Sequence, residues 1–148
     1  PDGSGHHATG SAALAHTRLS IIDLATGDQP LFAGGAALAA NGEVYNYREL
    51  RAGNALVCAT QSDCEPPLHL YRRDGLPFAD ALRGMYAIAI HDRAQRRVVL
   101  ARDPFGIKPL YVCEVPDGIA FASEAQALIA AGLAQPRIRA EARDELLQ

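Results

Sequence analysis

Short apolar runs separated by turn residues dominate this chain, and each run has the length of one strand. Residues 12–22 mix apolar and polar side chains as a strand with a continuation would. Two stretches rich in glycine, aspartate and proline, 1–5 and 27–30, predict turns. The remaining runs predict strands over 36–40, 56–59, 85–91, 98–102, 110–115 and 119–122.

Helix signals lie between these runs. Ser62 followed by Glu65 has the spacing of a capping box, and Gly132 is a typical helix end. The pattern predicts helices over 45–51, 62–75, 78–82 and 124–131, with another beginning in 141–147. Strands and helices come in blocks without strand–helix–strand alternation. This order favours a layered α+β fold over a doubly wound sheet.

Composition narrows the class of protein. The 148 residues suit one domain, and 49% hydrophobic with 21% charged residues is typical of a globular chain. The net charge of −3 disfavours broad electrostatic capture of nucleic acid or of an anionic membrane. No apolar run has membrane-spanning length. Three cysteines without a Cys-x-x-Cys pair favour neither a disulfide framework nor a zinc ribbon, so a reducing cytoplasm is the simpler setting.

Polar groups in three short segments carry the candidate chemistry. Asn41 and Gly42 offer a side-chain amide and an unhindered backbone N–H, the two kinds of donor that an oxyanion hole needs. Arg18 and the acids of segment 62–65 could bind the two charged ends of a free amino acid. Each has a simpler interpretation: a hairpin turn at 41–42, a surface cation at 18, and a first-turn helix acid at Asp63.

Other reactive side chains give weaker signals. His6, His7 and His16 lack carboxylate or thiol partners at metal-ligand spacing, so surface histidines and no metal site are predicted. Cys58, Cys64 and Cys113 lie in apolar or helical segments and are predicted to be buried thiols without a catalytic role.

Five segments, in order along the chain, carry a resemblance to a known family. The segments are His16-Thr-Arg-Leu-Ser-Ile-Ile-Asp23, Asn41-Gly-Glu-Val-Tyr-Asn-Tyr-Arg-Glu-Leu-Arg51, Ser62-Asp-Cys-Glu65, Leu82-Arg-Gly-Met-Tyr-Ala-Ile-Ala-Ile90 and Arg102-Asp-Pro-Phe-Gly-Ile-Lys-Pro-Leu-Tyr111. Together they resemble the class II glutamine amidotransferase domain, and within it the glutaminase half of glutamine-hydrolysing asparagine synthetase. The resemblance implies an N-terminal-nucleophile hydrolase fold, a four-layer α/β/β/α sandwich with mainly antiparallel sheets.

The resemblance implies a role for each candidate. Arg18 would bind the α-carboxylate of L-glutamine, because a guanidinium matches a carboxylate with two parallel hydrogen bonds. Asp63 and Glu43 would bind its α-ammonium group, and Asn41 with Gly42 would stabilise the oxyanion. The backbone of four further residues would line the pocket: Leu19, Ser20, Ile21 and Ile22. The segment 102–111 has no evident catalytic group and is interpreted as a rigid turn.

The family's nucleophile is an N-terminal cysteine whose own α-amine serves as base. No cysteine lies near Pro1, so this residue, with the first strand, is expected upstream, and the 148 residues alone are expected to be inactive. The segment between Arg51 and Ser62 is shorter than is usual in the family, and Pro66-Pro67 replaces aliphatic positions. We expect residues 1–135 to form the glutaminase domain and 136–148 to begin the linker to a synthetase domain.

The expected parent reaction is glutamine hydrolysis to glutamate and ammonia, followed by ATP-dependent amidation of aspartate. No cofactor is expected in these residues; ATP and Mg²⁺ would bind the synthetase domain. The expected partners are L-glutamine and that domain, with a homodimer left open, and the expected location is the cytoplasm. Two alternatives stay open: another class II amidotransferase with a different acceptor, such as glucosamine-phosphate synthase or phosphoribosyl-pyrophosphate amidotransferase, or a non-catalytic scaffold domain.

Overall fold

The computed structural model describes residues 3–18 and 27–136, apart from the side chain of Arg18. The chain divides into two compact units, Pro1–Lys108 and Pro109–Gln148. Predictions made for 19–26 and 137–148 lie outside the described residues. No helix in the described part of the chain is long and apolar enough to cross a membrane.

The first unit contains six described strands and three helical segments. Its strands are β1 (Gly3–Ala8), β2 (Ala13–Arg18), β3 (Leu31–Ala33), β4 (Ala36–Val44), β5 (Gly84–Asp92) and β6 (Arg97–Arg102). Its helical segments are α1 (Tyr47–Gly53), α2 (Glu65–Asp74) and a 3-10 helix (Leu76–Ala81). All strand pairs are antiparallel, in a two-stranded sheet β1-β2 and a four-stranded sheet β3-β4-β5-β6. The predicted α+β class with antiparallel sheets is confirmed.

The two faces of the four-stranded sheet differ, because successive side chains of a strand point to opposite faces. Leu38, Ala40 and Val44 of β4 lie in the hydrophobic core with α2 and the 3-10 helix. The other face of β5 carries His91, whose ring lies 5.7 Å from that of His7 in β1. The hairpin β1–β2 therefore contacts the face of the sheet that α2 leaves uncovered.

The core of the first unit is dry and closely packed. The most deeply buried large side chains come from β4, β5, α2 and the 3-10 helix, and each contributes roughly 1.5–3 kcal/mol by leaving water. Among them are Leu38, Leu68, Leu70, Phe78, Ile88 and Ile90. The two prolines in the first turn of α2 are also buried, and they occupy positions where a helix N–H has no intrahelical partner.

The second unit has a smaller described part. Strands β7 (Tyr111–Val115) and β8 (Gly118–Ala122) form an antiparallel hairpin, and α3 (Ala125–Ala130) follows. Leu128 is its most buried apolar residue, at 6% exposure. The predicted hairpin and helix are confirmed within a residue or two at each end.

One turn prediction and one strand prediction are wrong. A turn was predicted over 1–5, but its described residues, 3–5, are the start of β1, where Gly3 pairs with Arg18 and Ala8 with Ala13. Pairing along β2 overrides the low strand propensity of this Gly- and Ser-rich segment. The strand predicted over 56–59 is irregular chain, because Ala59 donates its N–H to the Glu65 carboxylate rather than to a neighbouring strand.

Two boundaries also differ from prediction. The strand expected to end at Ala40 continues through Asn41 and Gly42 to Val44, so Asn41-Gly42 is not a hairpin turn. The capping box at Ser62 does not form, because both Glu65 oxygens accept hydrogen bonds from the loop before the helix. Cys64 is the N-cap residue of α2, and its N–H bonds the Ser62 hydroxyl at 3.2 Å.

Candidate functional site

The site lies along the backbone of β4, on the side that faces away from β5. Ala40 donates its N–H to Gln29 Oε1 at 2.6 Å, and its carbonyl oxygen lies 3.1 Å from Gln29 Nε2 and 3.0 Å from His16 Nε2. In an antiparallel strand every second residue directs both backbone groups to the same side. Gly42 and Val44 therefore direct their N–H and C=O groups the same way as Ala40.

Gly42 occupies the middle of this row. Its partner in β5, Tyr86, has its own N–H and C=O bonded to Asp103, which agrees with a non-hydrogen-bonded Gly42–Tyr86 pair. The Gly42 carbonyl oxygen lies 4.0 Å from the Cys64 sulfur. No acceptor for the Gly42 N–H is found among residues 3–18 and 27–136. Within these described residues, the Gly42 N–H is therefore an available donor at the edge of β4.

Glycine is required at position 42 for two reasons. Its φ of +140° lies in a region that other residues rarely adopt. A Cβ there would also overlap the carbonyl oxygen of Met85 on the neighbouring strand. The close approach of β5 thus leaves the Gly42 backbone uncovered by any side chain of its own.

Asp63 lies at the next position along the same edge. Its Oδ2 accepts the Val44 N–H at 2.7 Å, and the residue is 6% exposed. Burial raises the pKa of Asp63 above the usual aspartate value, its hydrogen bonds partly lower the pKa, and the nearby charge of Glu43 raises it further. No cation in the described part of the chain pairs with Asp63. Among the described residues, the charge of this buried carboxylate therefore has hydrogen-bond donors but no cationic partner.

Asn41 and Glu43 complete the group, and both side chains are half-buried. They flank Gly42 in β4, and the charge of Glu43 makes a small contribution to the raised pKa of Asp63. A positively charged group placed between them would relieve both this effect and the desolvation of Asp63. The arrangement can therefore bind an ammonium group beside a backbone N–H donor.

Two side chains to which the family resemblance gave no role, those of Glu65 and Arg51, fix the loop that carries Asp63. Glu65 accepts the N–H groups of Ala59 and Thr60, each at 2.7 Å, and the Thr60 hydroxyl at 2.6 Å. Burial alone would raise the pKa of Glu65, but these bonds and one from His69 together lower it. Arg51 holds the other end of the loop through the Ser62 carbonyl oxygen at 2.8 Å. The Ser62–Glu65 spacing predicted the hydrogen bonds of a capping box, but Glu65 instead accepts hydrogen bonds from Ala59 and Thr60.

Cys64 is buried, as predicted, with 2% exposure. Its sulfur lies 3.8 Å from Asp63 Oδ2, and burial with the adjacent Asp63 charge raises the thiol pKa well above its usual value. A nucleophilic thiolate is therefore disfavoured there. The prediction of burial is wrong for Cys58 and Cys113, which are half-exposed because one lies in irregular chain and the other in a two-stranded hairpin.

Of the segment 102–111, predicted to be a rigid turn between strands, Arg102 ends β6 and Tyr111 begins β7, and a turn follows Asp103. The Asp103 carboxylate accepts backbone N–H groups from Tyr86, Phe105, Ile107 and Lys108 at 2.9–3.3 Å. These bonds lower its pKa against the opposing effect of burial. All of the contacts are to backbone, so Asp103 shapes the chain rather than a ligand.

The structure thus brings together part of the predicted site. Asn41, Gly42, Glu43 and Asp63 converge at one end of β4. The backbone of Arg18 ends β2, but its side chain lies outside the described residues. The same is true of the whole of Leu19, Ser20, Ile21 and Ile22.

The family described as the glutamine amidotransferase domain matches residues 1–148. The chain belongs to this family. Asparagine synthetase 2 (glutamine-hydrolysing) of Bacillus subtilis is 43% identical over 131 residues, which cover 86% of this chain and 18% of the relative. Asparagine synthetase B (glutamine-hydrolysing) of Escherichia coli is 44% identical over 134 residues, which cover 87% of this chain and 24% of the relative.

A solved structure with the same fold is the glutamine phosphoribosylpyrophosphate amidotransferase of Bacillus subtilis, complexed with ADP and GMP. It is 30% identical, with a TM-score of 0.66, over 81% of this amidotransferase domain and 29% of that chain. The predicted N-terminal-nucleophile hydrolase fold is confirmed by this neighbour. This domain spans only about a fifth to a quarter of the length of the two synthetases named above.

Proposed function

We propose that this chain is the glutaminase domain of a glutamine-hydrolysing asparagine synthetase. The observation that carries the proposal is the buried Asp63 carboxylate beside Glu43 and the Gly42 N–H, for which the described residues supply no cation and no acceptor, respectively. Free glutamine presents its ammonium group to Asp63 and Glu43, and the carbonyl of its reacting side-chain amide to the Gly42 N–H. The higher identity to the asparagine synthetases than to the phosphoribosylpyrophosphate amidotransferase supports the asparagine type.

Each group has a distinct role in the proposed reaction. Asp63 and Glu43 bind the α-ammonium of glutamine, and Arg18 binds its α-carboxylate beside the backbone of Leu19, Ser20, Ile21 and Ile22. The Gly42 N–H and the Asn41 amide stabilise the oxyanion that forms when a nucleophile attacks the side-chain carbonyl. Such a donor is aimed at charge that exists only in the transition state, so its loss typically costs roughly 10²–10³ in rate.

The nucleophile has no counterpart in the described site. The Cys64 sulfur lies 4.0 Å from the Gly42 carbonyl oxygen, but its burial and raised pKa disfavour the thiolate form. We therefore place the nucleophile, a cysteine with its own α-amine as base, in chain outside these 148 residues. In that arrangement the thiolate attacks the carbonyl carbon, ammonia leaves with a proton, and water hydrolyses the thioester to glutamate.

The domain bounds, cofactors, location and partners are assigned from the same proposal. Residues 1–135 form the glutaminase domain, and 136–148 begin the linker to a synthetase domain. That domain binds ATP and Mg²⁺ and uses the ammonia to amidate aspartate, since no residue of this chain is assigned to that chemistry. The proposed location is the cytoplasm, and the proposed partners are L-glutamine, the synthetase domain and a second copy in a homodimer.

The test is to supply the full-length protein with glutamine, aspartate, ATP and Mg²⁺, and to measure glutamate and asparagine separately. Equal amounts of both are expected. Glutamate without asparagine would identify an amidotransferase with another acceptor. A protein that releases no glutamate, although it folds, would be a scaffold, and the proposal would fail.

A further inference from the structure

Three side chains with different metal-binding atoms meet beside the start of α2. Glu65 and His69 lie one turn apart on the helix, and Cys58 lies in the irregular chain between α1 and α2. A thiol sulfur, a carboxylate oxygen and a ring nitrogen of these residues all lie within 4.8 Å of one another. Only the fold brings Cys58 to the helix, which is why spacing along the sequence predicted no metal site.

Glu65 is already held in one orientation. It is 2% exposed, and Ala59 N–H, Thr60 N–H and the Thr60 hydroxyl donate to its two oxygens. Among the described residues, Glu65 Oε1 accepts hydrogen bonds from the Ala59 N–H and from the His69 ring, whose Nε2 lies 3.1 Å from Oε1. A metal ion can replace that second contact, because each carboxylate oxygen has two lone pairs. The loop donors then orient the ligand from behind, as outer hydrogen bonds do in metal sites.

We propose that Cys58, Glu65 and His69 bind a divalent zinc-type cation, with water as the fourth ligand. Tetrahedral zinc sites use sulfur, nitrogen and oxygen ligands at about 2.0–2.3 Å, which places the ligand atoms roughly 3.5 Å apart. The three side chains need to move by about an ångström at most to reach that spacing. Cys58 is half-exposed and His69 has a 19% exposed side chain, so both are able to move and water can reach the open position.

Charge and ligand type favour zinc over harder cations. A Cys58 thiolate and the Glu65 carboxylate neutralise a divalent ion, and His69 binds it as a neutral imidazole. The thiol proton is released to solvent when the Cys58–metal bond forms. Thiolate and imidazole select zinc-type ions, whereas Mg²⁺ prefers oxygen ligands in octahedral geometry. Among the described residues, this is the group in which three such side chains of the His, Cys, Asp and Glu types converge.

The site is independent of the proposed glutaminase activity, so binding is measured without glutamine. Purified, chelator-treated protein is titrated with Zn²⁺ in competition with a chromophoric chelator, and with Co²⁺ while the thiolate-to-cobalt absorption is recorded. One Zn²⁺ per chain and a thiolate band are expected. Mg²⁺ in excess should not displace either ion.

Two ligand variants test the assignment without touching the Glu65 carboxylate that holds the loop. Cys58→Ser should abolish the cobalt–thiolate band, and His69→Gln should weaken binding. In each variant the Zn²⁺ affinity should fall by at least the roughly 10–100-fold that loss of a supporting group costs in known metal sites. Cys113→Ser is the matched control, since Cys113 is also half-exposed but lies in the other unit. His6→Ala combined with His7→Ala controls for surface histidines.

Alkylation gives a second readout that does not depend on the variants folding well. Zn²⁺ should slow labelling of Cys58 in the unmodified protein and leave Cys113 unaffected, as measured by mass spectrometry of digested samples. The proposal is overturned by the absence of Zn²⁺ binding. It is equally overturned by binding that survives both Cys58→Ser and His69→Gln, or by equal protection of the two cysteines.

Discussion

Asp63 and Asp103 are both buried aspartates that accept backbone N–H groups beside the same sheet, yet their environments have opposite effects. Asp103 has four backbone N–H donors from other residues, and its pKa is lowered. Asp63 has one such donor, from Val44, besides its own N–H and the Cys64 thiol, and its pKa is raised. Among the described residues, the carboxylate of Asp103 therefore has more hydrogen-bond donors than that of Asp63.

This difference separates a structural acid from a candidate ligand-binding acid. Burying an ionised carboxylate is costly unless hydrogen bonds or a cation compensate for the lost water. Asp103 receives full compensation from backbone that it also fixes in place. Asp63 keeps part of its capacity for a positively charged ligand, and Glu43 beside it increases that capacity. Both residues lie in motifs of the family, so the motif alone does not tell them apart.

The largest expected effect is on glutamine hydrolysis by Asp63→Asn in the full-length protein. The amide has nearly the same shape and still accepts the Val44 N–H, so stability should change by less than about 1 kcal/mol. It cannot pair with an ammonium group, so kcat/KM should fall about 100–1000-fold, or about 3–4 kcal/mol. Steady-state glutamate release measures this. Wild-type kcat/KM in a folded Asp63→Asn protein would remove Asp63 from the site.

The second-largest expected effect is a steric one at Gly42, whose N–H is the candidate oxyanion donor. Gly42→Ala should destabilise the protein by at least the roughly 1–3 kcal/mol of an overpacked core position, because its Cβ meets the Met85 carbonyl. Gly53→Ala is the control: no atom lies within 4 Å of the added Cβ, and the change should be near neutral. Denaturant unfolding compares the two. Equal midpoints would contradict the close approach of β5 to Gly42.

Asp103→Asn should have the opposite effects to Asp63→Asn: it should lower stability and leave glutamine hydrolysis nearly unchanged. The single amide oxygen can accept two hydrogen bonds at most, so at least two of the four N–H groups lose their acceptor. The melting temperature should fall, while kcat/KM per folded molecule at low temperature should stay close to wild type. Thermal melts and glutamate release on the same sample measure both. A loss of activity without a loss of stability would place Asp103 in the reaction instead.

The smallest effect is the pH dependence of stability, which should have opposite signs at the two aspartates. Asp63 has a folded pKa above 3.8, so it keeps a proton that the unfolded chain has lost, and it destabilises the fold as pH rises through that interval. Asp103 has a folded pKa below 3.8, so its stabilisation is present above 3.8 and is lost as pH falls through its folded pKa.

The unfolding free energy of wild type and both asparagine variants is measured between about pH 3 and 7. On acidification towards 3.8, wild type should gain stability relative to Asp63→Asn. Below 3.8, it should lose stability relative to Asp103→Asn. Parallel curves for the two variants would show that the two carboxylates have equivalent environments.

The sequence by itself determined the fold class, most strands and the family. Runs such as 85–91 and 98–102 are mostly apolar and have the length of one strand, which predicts β5 and β6, and the short connection between them predicts a hairpin, hence the antiparallel pairing. The candidate residues Asn41, Gly42, Glu43 and Asp63 were also named from sequence, because an amide–glycine pair and a group of acids are local features. Their roles in catalysis stay predictions.

Tertiary structure alone decided how these groups are satisfied. Whether Asp63 or Asp103 is left short of donors depends on which distant backbone N–H groups reach each carboxylate, and no local pattern contains that information. The same holds for Glu65, whose spacing from Ser62 predicted a helix cap but whose oxygens hold Ala59 and Thr60 instead. It holds again for Cys58, which meets Glu65 only because the loop folds back onto α2. Hydrogen bonds and metal ligands are short-range, so their partners are set by the packing of the whole domain.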